Sequence, residues 1–307
     1  MKLDFLIIGA QKSATTALFK YLEPHADIAM PKGKEAPLFH HDVNEAEVSA
    51  FMAEQFGRGI GKLRGKATPQ YMCDEAIPLR LKQHNPDLKL IAVLRDPIER
   101  AWSQYRMNRR RETEQRTFDE AVSELLQPDT LTKARAGSAP MHTETFESEG
   151  DYYLAWSEYG RILENYLRHF NRDQLLVLYT EDIQNEPQAT LDKVMTFLGL
   201  DEGFTPDCLG EVIHKGGSEA IVSKQLKQRI RNFGPVKVFW DRIPEPRRRV
   251  IRYWFEQLNV KKSDDGIELS ASQRAKLQMH FAKDAQLLAS VTGEYPIWAE
   301  QNELQCA

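Results

Sequence analysis

The chain has 307 residues, of which 41% are hydrophobic and 28% charged, a composition typical of a folded protein with a sizeable core. Its net charge of −4 favours no nucleic-acid partner, and its three widely spaced cysteines form neither a disulfide framework nor a zinc motif. No apolar run approaches the ~18 residues of a transmembrane helix and no signal-peptide pattern opens the chain, so we expect a cytoplasmic protein without a membrane span.

The first predicted element is an apolar run, Phe5–Ile8, which indicates a buried parallel strand. The run ends at Gly9, and a helical pattern begins at Ser13 or Thr15. This order predicts an anion cradle, because the free N–H groups and the positive dipole end of a helix face the loop. Lys12 adds a full positive charge to it.

The spacing differs from that of nucleotide triphosphate loops, in which a second glycine precedes adjacent Lys and Ser/Thr residues. Here two residues separate Gly9 from Lys12, and the hydroxyl pair begins at Thr15. A loop this short would enclose one phosphate or sulfate group. An ordinary strand–turn–helix with a surface lysine is the alternative at this stage.

Further apolar runs alternate with helical patterns along the chain, which predicts an α/β fold with a central parallel sheet flanked by helices. The predicted strands are Ile28–Met30, Lys62–Ala67, Leu88–Leu94 and Leu175–Tyr179. The predicted helices are Pro97–Arg110, Phe118–Leu126, Ser157–Phe170 and Ala189–Leu198.

Two later segments have a different character. Residues Gln127–Gly150 carry few large apolar side chains, so we expect an irregular loop, and we interpret it as a lid that selects the acceptor through Met141, His142 and Phe146. Residues 221–307 show mainly helical patterns. One of these patterns is an apolar stripe formed by Leu277, Phe281, Ala285 and Leu288.

A second candidate anion site follows the strand Leu88–Leu94. Arg95 comes directly after that strand, and Ser103 lies about two turns into the next helix. If Arg95 lies back along the helix, its guanidinium and the Ser103 hydroxyl can bind one anion together. The alternative is that Arg95 pairs with Asp96 or Glu99 and that Ser103 is only a small helix residue.

Together the two patterns resemble those of sulfotransferases that use 3′-phosphoadenosine 5′-phosphosulfate (PAPS). The patterns are Gly9-x-x-Lys12-x-x-Thr15-Thr16 and Leu94-Arg95-Asp96-Pro97-x-x-Arg100-x-x-Ser103. The branch with heparan sulfate sulfotransferase domains and their bacterial relatives is the most similar. The similarity continues through Lys34–Phe39, Thr68–Tyr71 and Tyr159–Leu198, and it covers residues 3–220.

The resemblance implies a three-layer, P-loop-like fold in a single domain over residues 1–307, with a core at 3–220 and a helical C-terminal part at 221–307. It implies PAPS as donor and 3′-phosphoadenosine 5′-phosphate (PAP) as product, with no metal required. The residues that bind the 5′-phosphosulfate would be Gln11, Lys12, Ser13, Ala14, Thr15, Thr16 and Ala17. Those that bind the 3′-phosphate would be Arg95, Ser103, Lys215, Gly216 and Gly217, although Lys215–Gly217 also reads as a plain surface turn.

The resemblance also points to catalytic residues. Glu35 is the general-base candidate because Lys34–Phe39 fits a Lys-Glu-x-x-x-Phe pattern, and Lys12 would neutralise the charge that develops in transfer. His41, beside His40, is the competing base. Similar enzymes carry a lysine directly before the Thr-Pro motif, but this chain has Ala67 there and Lys66 one position earlier. A shift of one residue in a strand turns the side chain to the opposite face.

The expected activity is therefore in-line transfer of a sulfuryl group from PAPS to a hydroxyl of a small or medium-sized acceptor, by a monomer or homodimer. An amine acceptor stays open. The alternatives are a phosphate-loop kinase or nucleotide hydrolase, and a non-catalytic adenine-nucleotide-binding protein. The basic runs Arg109–Arg111 and Arg247–Arg249 are interpreted as solvated helix faces, and the first could also attract an anionic ligand.

Overall fold

A computed structural model describes residues 1–35, 38–57, 61–137, 149–211 and 269–299, with isolated positions between 222 and 251. Five strands form one sheet, and every pair of neighbouring strands is parallel. The strands are β1 (Phe5–Gly9), β2 (Ile28–Ala29), β3 (Leu63–Ala67), β4 (Lys89–Leu94) and β5 (Leu175–Tyr179). Their order across the sheet is β2-β3-β1-β4-β5.

Helices connect the strands and extend beyond them. The helices with described bounds are α1 (Thr15–Leu22), α2 (Glu45–Phe56), α3 (Ile77–His84), α4 (Pro97–Arg110), α5 (Phe118–Leu125), α6 (Pro128–Ala136), α7 (Tyr159–Leu167), α8 (Thr180–Asn185), α9 (Pro187–Leu198) and α10 (Ala271–Thr292). Short 3-10 turns lie at Pro69–Cys73, Glu149–Tyr152, Ala155–Ser157 and Arg172–Gln174. No described helix is both long enough and apolar enough to span a bilayer.

The sheet is covered on both faces, which confirms the expected three-layer α/β architecture. Along β1, Leu6 and Ile8 point to one face, where α2, α3, α7 and α10 contribute buried side chains. Phe5 and Ile7 point to the other face, against α1, α8 and α9. Because both faces of a central parallel strand are buried, its sequence is continuously apolar rather than alternating.

The predicted bounds of a helix agree closely with the observed ones where a capping side chain or a proline marks its first turn. Helix α4 spans the predicted residues, because the Asp96 carboxylate accepts the N–H groups of Ile98 and Glu99 and Pro97 occupies the first turn. Strand β5 also spans the predicted residues. The helix predicted over Ser157–Phe170 is shorter, since α7 begins at Tyr159 after a 3-10 turn.

The expectation that Gln127–Gly150 is irregular is wrong over its first third. Helix α6 occupies Pro128–Ala136, with Pro128 in its first turn and Leu131 and Ala134 buried. These two buried residues are three positions apart and lie on the same side of the helix. They pack on the apolar cluster formed by α4, α5 and α10, and the apolar face of α6 is therefore narrow. Residues 138–148, which include Met141, His142 and Phe146, lie outside the described part of the chain.

The strand order creates a crevice at the carboxyl edge of the sheet. The chain leaves β1 towards β2 on one side, while β4 is followed by β5 on the other. β1 and β4 are neighbours, so their connections diverge and leave a gap between them. Ligands of open α/β sheets bind at such a switch point. The loop after β1 carries Lys12, and Arg95 directly follows β4.

Helix α10 packs directly on α7, and one glycine makes the close approach possible. The Asp284 carboxylate accepts the backbone N–H groups of Gly160 and Arg161 at the start of α7, both at 2.9 Å. A Cβ atom at Gly160 would lie 2.4 Å from the Asp284 carbonyl oxygen and 2.7 Å from the Leu288 nitrogen. These atoms belong to a helix backbone and cannot move aside singly, so only glycine fits here.

Replacing Gly160 with alanine should therefore destabilise the protein. We expect Gly160→Ala to lower the free energy of unfolding by about 1–3 kcal/mol, because the added methyl group forces α10 away from α7. Gly33→Ala is the matched control: a Cβ at that exposed position meets nothing within 4 Å. The control should stay within about 0.5 kcal/mol of wild type in urea unfolding. Equal stability of the two variants would contradict the packing described here.

Candidate functional site

The loop after β1 forms a cradle that leaves backbone donors available. Lys12 (φ 73°) and Ala14 (φ 57°) both adopt the left-handed conformation, which turns the chain sharply before α1 begins at Thr15. Ala14 is the N-cap residue and has no side-chain oxygen to cap the first N–H groups of the helix. An anion can accept hydrogen bonds from such groups and gains from the helix dipole.

Close packing beneath the cradle depends on Gly9, the last residue of β1. A Cβ atom there would lie 2.6 Å from the Sδ atom and 2.6 Å from the Cβ atom of Met72. Met72 is buried in the 3-10 turn Pro69–Cys73, which follows the end of β3. The missing side chain thus lets this turn lie directly against the start of the cradle.

Positive charge converges on Lys12. The pKa of the Lys12 ammonium is lowered to about 7, first by burial and then by the charges of Arg110, Arg111 and Arg95, in that order. When Lys12 loses its proton, the repulsion between it and the arginines falls. A bound anion would reduce the same repulsion by placing negative charge among these cations. The first two arginines end α4 and begin the next turn, so the helix brings its last residues over the cradle. Within the basic run, Arg110 and Arg111 therefore act on Lys12, whereas Arg109 donates to the Glu114 and Gln115 carbonyls.

A carboxylate that no local sequence pattern marks faces the same cations. Glu149 is nearly buried, and its charge opposes the lowering of the Lys12 pKa. Its two carboxylate oxygens lie 3.0 and 3.3 Å from the Gln11 Nε2 atom, which donates to them. The Gln104 side chain of α4 donates to the Glu149 carbonyl at 3.4 Å. Glu149 belongs to the stretch expected to be irregular, and only the tertiary fold brings it to the cradle.

The second predicted anion site contains an ion pair in this structure. Arg95 Nη2 lies 3.7 Å from Glu99 Oε2, and Arg274 of α10 lies 2.6 Å from Glu99 Oε1. Ser103 follows Glu99 by one turn, and its side chain is half-buried. The alternative pairing of Arg95 with Glu99 is thus present. The positive charge of Arg95 also lowers the pKa of Lys12, so the guanidinium lies near the cradle. Arg100 is fully buried and donates to Ser157 Oγ and the Tyr153 carbonyl, both at 2.6 Å.

Glu35 lies beside the first residue of α1. The Lys34 ammonium donates to Glu35 Oε1 at 3.1 Å and to Thr15 Oγ1 at 3.4 Å, so one lysine links the carboxylate to the cradle. The Glu35 side chain is 38% exposed, which leaves it open to an incoming group. His41 is exposed instead, and its ring contacts His40 at 3.1 Å and Glu47 of α2 at 3.6 Å.

Lys66 points into the protein. It pairs in register with Leu6, whereas Ala67 pairs with Ile7, so the two residues face opposite sides of the sheet. The Lys66 side chain is fully buried, and its Nζ atom contacts the hydroxyls of Thr68 and Tyr71.

Residues Lys215, Gly216 and Gly217 lie outside the described part of the chain, and their expected contact with the 3′-phosphate stays a prediction. Within the described ranges, no three His, Cys, Asp or Glu side chains are grouped so that they could hold a metal ion.

Comparison with known proteins gives consistent matches. Residues 2–227 match the family described as "Sulfotransferase domain". Human heparan sulfate glucosamine 3-O-sulfotransferase 3B1 is 27% identical over 259 residues, which cover 74% of this chain and 59% of that protein. Mouse bifunctional heparan sulfate N-deacetylase/N-sulfotransferase 4 is 27% identical over 248 residues, covering 78% of this chain and 25% of that protein. This chain therefore spans less than two thirds of the length of either relative.

One solved structure shares the fold over nearly the whole chain. It is a sulfotransferase from Alicyclobacillus acidocaldarius, with a TM-score of 0.63 and 21% sequence identity. The match covers 96% of this chain and 97% of that one.

The lowered pKa of Lys12 predicts that anion binding takes up a proton. At pH 8 the amine is largely neutral in the free protein, and an anion in the cradle restores its usual, higher pKa. Calorimetric titration with PAP in two buffers of different ionisation enthalpy should show uptake of about one proton per site at pH 8 and little at pH 6. Lys12→Arg, which stays charged, should show no uptake. Identical heats in both buffers for the wild type would contradict this electrostatic description.

Proposed function

The chain belongs to the sulfotransferase family, and we propose that it transfers a sulfuryl group from PAPS to a hydroxyl of an acceptor. The observation that carries the proposal is the convergence of Lys12, Arg95, Arg110 and Arg111 on an uncapped helix start at the carboxyl edge of the sheet. PAPS carries two separate anionic groups. The 5′-phosphosulfate would fit the cradle, and the surrounding arginines provide positive charge for the 3′-phosphate.

The donor would be held at two places. The cradle residues Gln11–Ala17 suit the 5′-phosphosulfate, because Lys12 and the uncapped N–H groups at the start of α1 would face a single anionic group. Arg95 and Ser103 suit the 3′-phosphate, which would compete with Glu99 for the Arg95 guanidinium. A charge-assisted, bidentate contact between arginine and phosphate is stronger than the 3.7 Å ion pair it would replace.

In the proposed reaction Glu35 is the general base. Its carboxylate takes the proton of the attacking hydroxyl while the hydroxyl oxygen forms a bond to sulfur and the bond from sulfur to the 5′-phosphate oxygen breaks. Lys12 neutralises the negative charge that develops on this leaving oxygen. The link from Glu35 through Lys34 to Thr15 supports the assignment, since it holds the base beside the cradle.

His41 is a weaker candidate for the base, because its contacts are with Glu47 and His40 on the exposed side of α2. A kinase or nucleotide hydrolase is also less well supported. The cradle lacks the adjacent Lys and Ser/Thr pair with which such enzymes hold phosphate and magnesium.

The acceptor is proposed at the level of its reacting group. A small or medium-sized hydroxyl compound suits a chain with a net charge of −4, since a polyanionic polymer is attracted by an extended basic surface. The names of the relatives favour heparan sulfate, a large polymer, as the second candidate. Heparan-type oligosaccharides therefore belong in an acceptor panel beside small alcohols, phenols and amines.

The first test is calorimetric titration with PAP in the presence of EDTA, with AMP as the control ligand. We expect micromolar binding of PAP and about 10- to 100-fold weaker binding of AMP, because AMP lacks the 3′-phosphate and its charge-assisted hydrogen bonds. EDTA should leave the PAP affinity unchanged. Equal affinities for the two nucleotides would contradict a site built for PAPS.

The base assignment has its own test. Glu35→Gln should reduce turnover of PAPS with a responsive acceptor by at least about 100-fold, because the amide cannot take the proton. The PAP affinity of this variant should stay close to that of the wild type. Glu54→Gln changes an exposed carboxylate on α2 and should leave both quantities unchanged. Full turnover by Glu35→Gln would show that another group is the base.

A further inference from the structure

Lys66 is a buried amine that has no carboxylate among its described hydrogen-bond partners. Its side chain is fully buried on β3, and its Nζ atom contacts the Thr68 hydroxyl and, at 3.2 Å, the Tyr71 hydroxyl. The same Nζ atom lies 4.3 Å from the centre of the Tyr71 ring. A buried ammonium normally has a charged partner, so this arrangement requires an explanation.

The hydrogen bonds of Tyr71 supply the explanation. Its phenolic oxygen accepts the backbone N–H groups of Leu38 at 2.7 Å and Phe39 at 2.9 Å. These two bonds occupy both lone pairs of the oxygen. Burial raises the pKa of Tyr71 to about 12, so the phenol keeps its own proton and must donate it. Among the described residues, the remaining hydrogen-bond neighbour of the Tyr71 hydroxyl is Lys66 Nζ. An amine nitrogen can accept a hydrogen bond only when it is uncharged.

We propose that Lys66 is an uncharged positioning residue that accepts the Tyr71 O–H, donates to Thr68, and through Tyr71 holds the loop that carries Glu35. The inference rests on the proposed function in one respect, namely that Glu35 is the base. Leu38 and Phe39 follow Glu35 by three and four residues, so the Tyr71 hydroxyl anchors the end of that loop to the sheet.

The uncharged state matters because Glu35 needs to be basic. Among the described residues packed around Lys66, Glu35 is the titratable group whose charge acts on it, while Tyr71 and Thr68 stay neutral. Burial lowers the pKa of Lys66 far below that of a solvated lysine. The Lys34 ammonium already lies 3.1 Å from Glu35 Oε1, and a second permanent cation, at Lys66, would stabilise the Glu35 carboxylate further and weaken it as a proton acceptor. A neutral amine holds the loop without that effect.

The first arm of the test measures the charge of Lys66 directly and needs no substrate. The protein is labelled with ¹³C at the lysine Cε position, and Lys66→Met identifies the resonance of Lys66 by its loss. We expect this resonance to have the chemical shift of a neutral amine at pH 8, while the exposed Lys62 has that of an ammonium. An ammonium shift for Lys66 up to pH 9 would overturn the proposal, whatever the enzyme transfers.

The second arm measures turnover of PAPS with a responsive acceptor. Lys66→Met retains the buried volume without the nitrogen, and Tyr71→Phe retains the ring without the hydroxyl. Each should lower kcat about tenfold, the effect of one lost positioning hydrogen bond, with an unchanged KM for PAPS. The double variant should be no slower than the slower single variant, because both act through the same contact. Lys62→Met is the control and should match the wild type.

A third variant separates positioning from general loss of stability. Lys66→Arg places a permanent charge near Glu35 and should move the acidic limb of the kcat–pH profile to lower pH, whereas Lys66→Met should leave that limb in place. A wild-type kcat in Lys66→Met, or additive losses in the double variant, would overturn the positioning role. Absence of transfer by the wild type would instead contradict the proposed function, and the resonance of Lys66 would still decide its charge.

Discussion

The repulsion among the cations around Lys12 is the constraint on which the rest of this site depends. A lysine beside Arg95, Arg110 and Arg111, in a largely buried loop, is unfavourable without negative charge nearby. Among the described residues, Glu149 faces Lys12 and Glu99 pairs with Arg95. In the proposed function, an anion bound in the loop adds negative charge among these cations.

The same constraint connects the C-terminal helix to the site. Arg274 of α10 contacts the other carboxylate oxygen of Glu99, so α10 helps to set the position of the carboxylate that Arg95 would leave in its proposed contact with phosphate. α10 in turn is held on α7 by Asp284 and by the absence of a side chain at Gly160. A contact far from the cradle in sequence thus contributes to its charge balance. Helix α10 therefore contributes to the site as well as to the packing on α7.

How much of this could be predicted from the sequence depended on the range of the interactions. The apolar run of β1 and the capped start of α4 are local features, and the sequence predicted both elements correctly. Helix α6 was missed because it buries only Leu131 and Ala134 and has no strong periodic signal. Glu149 was missed because no local pattern marks it. Arg110 was interpreted as part of a solvated face that could also attract an anionic ligand. Its effect on Lys12 could not be predicted, because the direction of α4 across the cradle is a tertiary property.

Lys66 shows how a correct local rule can lead to an incomplete interpretation. The alternation of side chains along a strand does separate Lys66 from Ala67, and the register with β1 agrees with that rule. The face that Lys66 occupies, however, carries Tyr71, and the Tyr71 hydroxyl binds the loop that follows Glu35. A lysine on the opposite face from the expected one is therefore still connected, through the Tyr71 hydroxyl, to the residues that follow Glu35. The sequence shows that Lys66 and Tyr71 are five residues apart. It does not predict the contacts of the Tyr71 hydroxyl with Lys66, Leu38 and Phe39, because these form only in the folded chain.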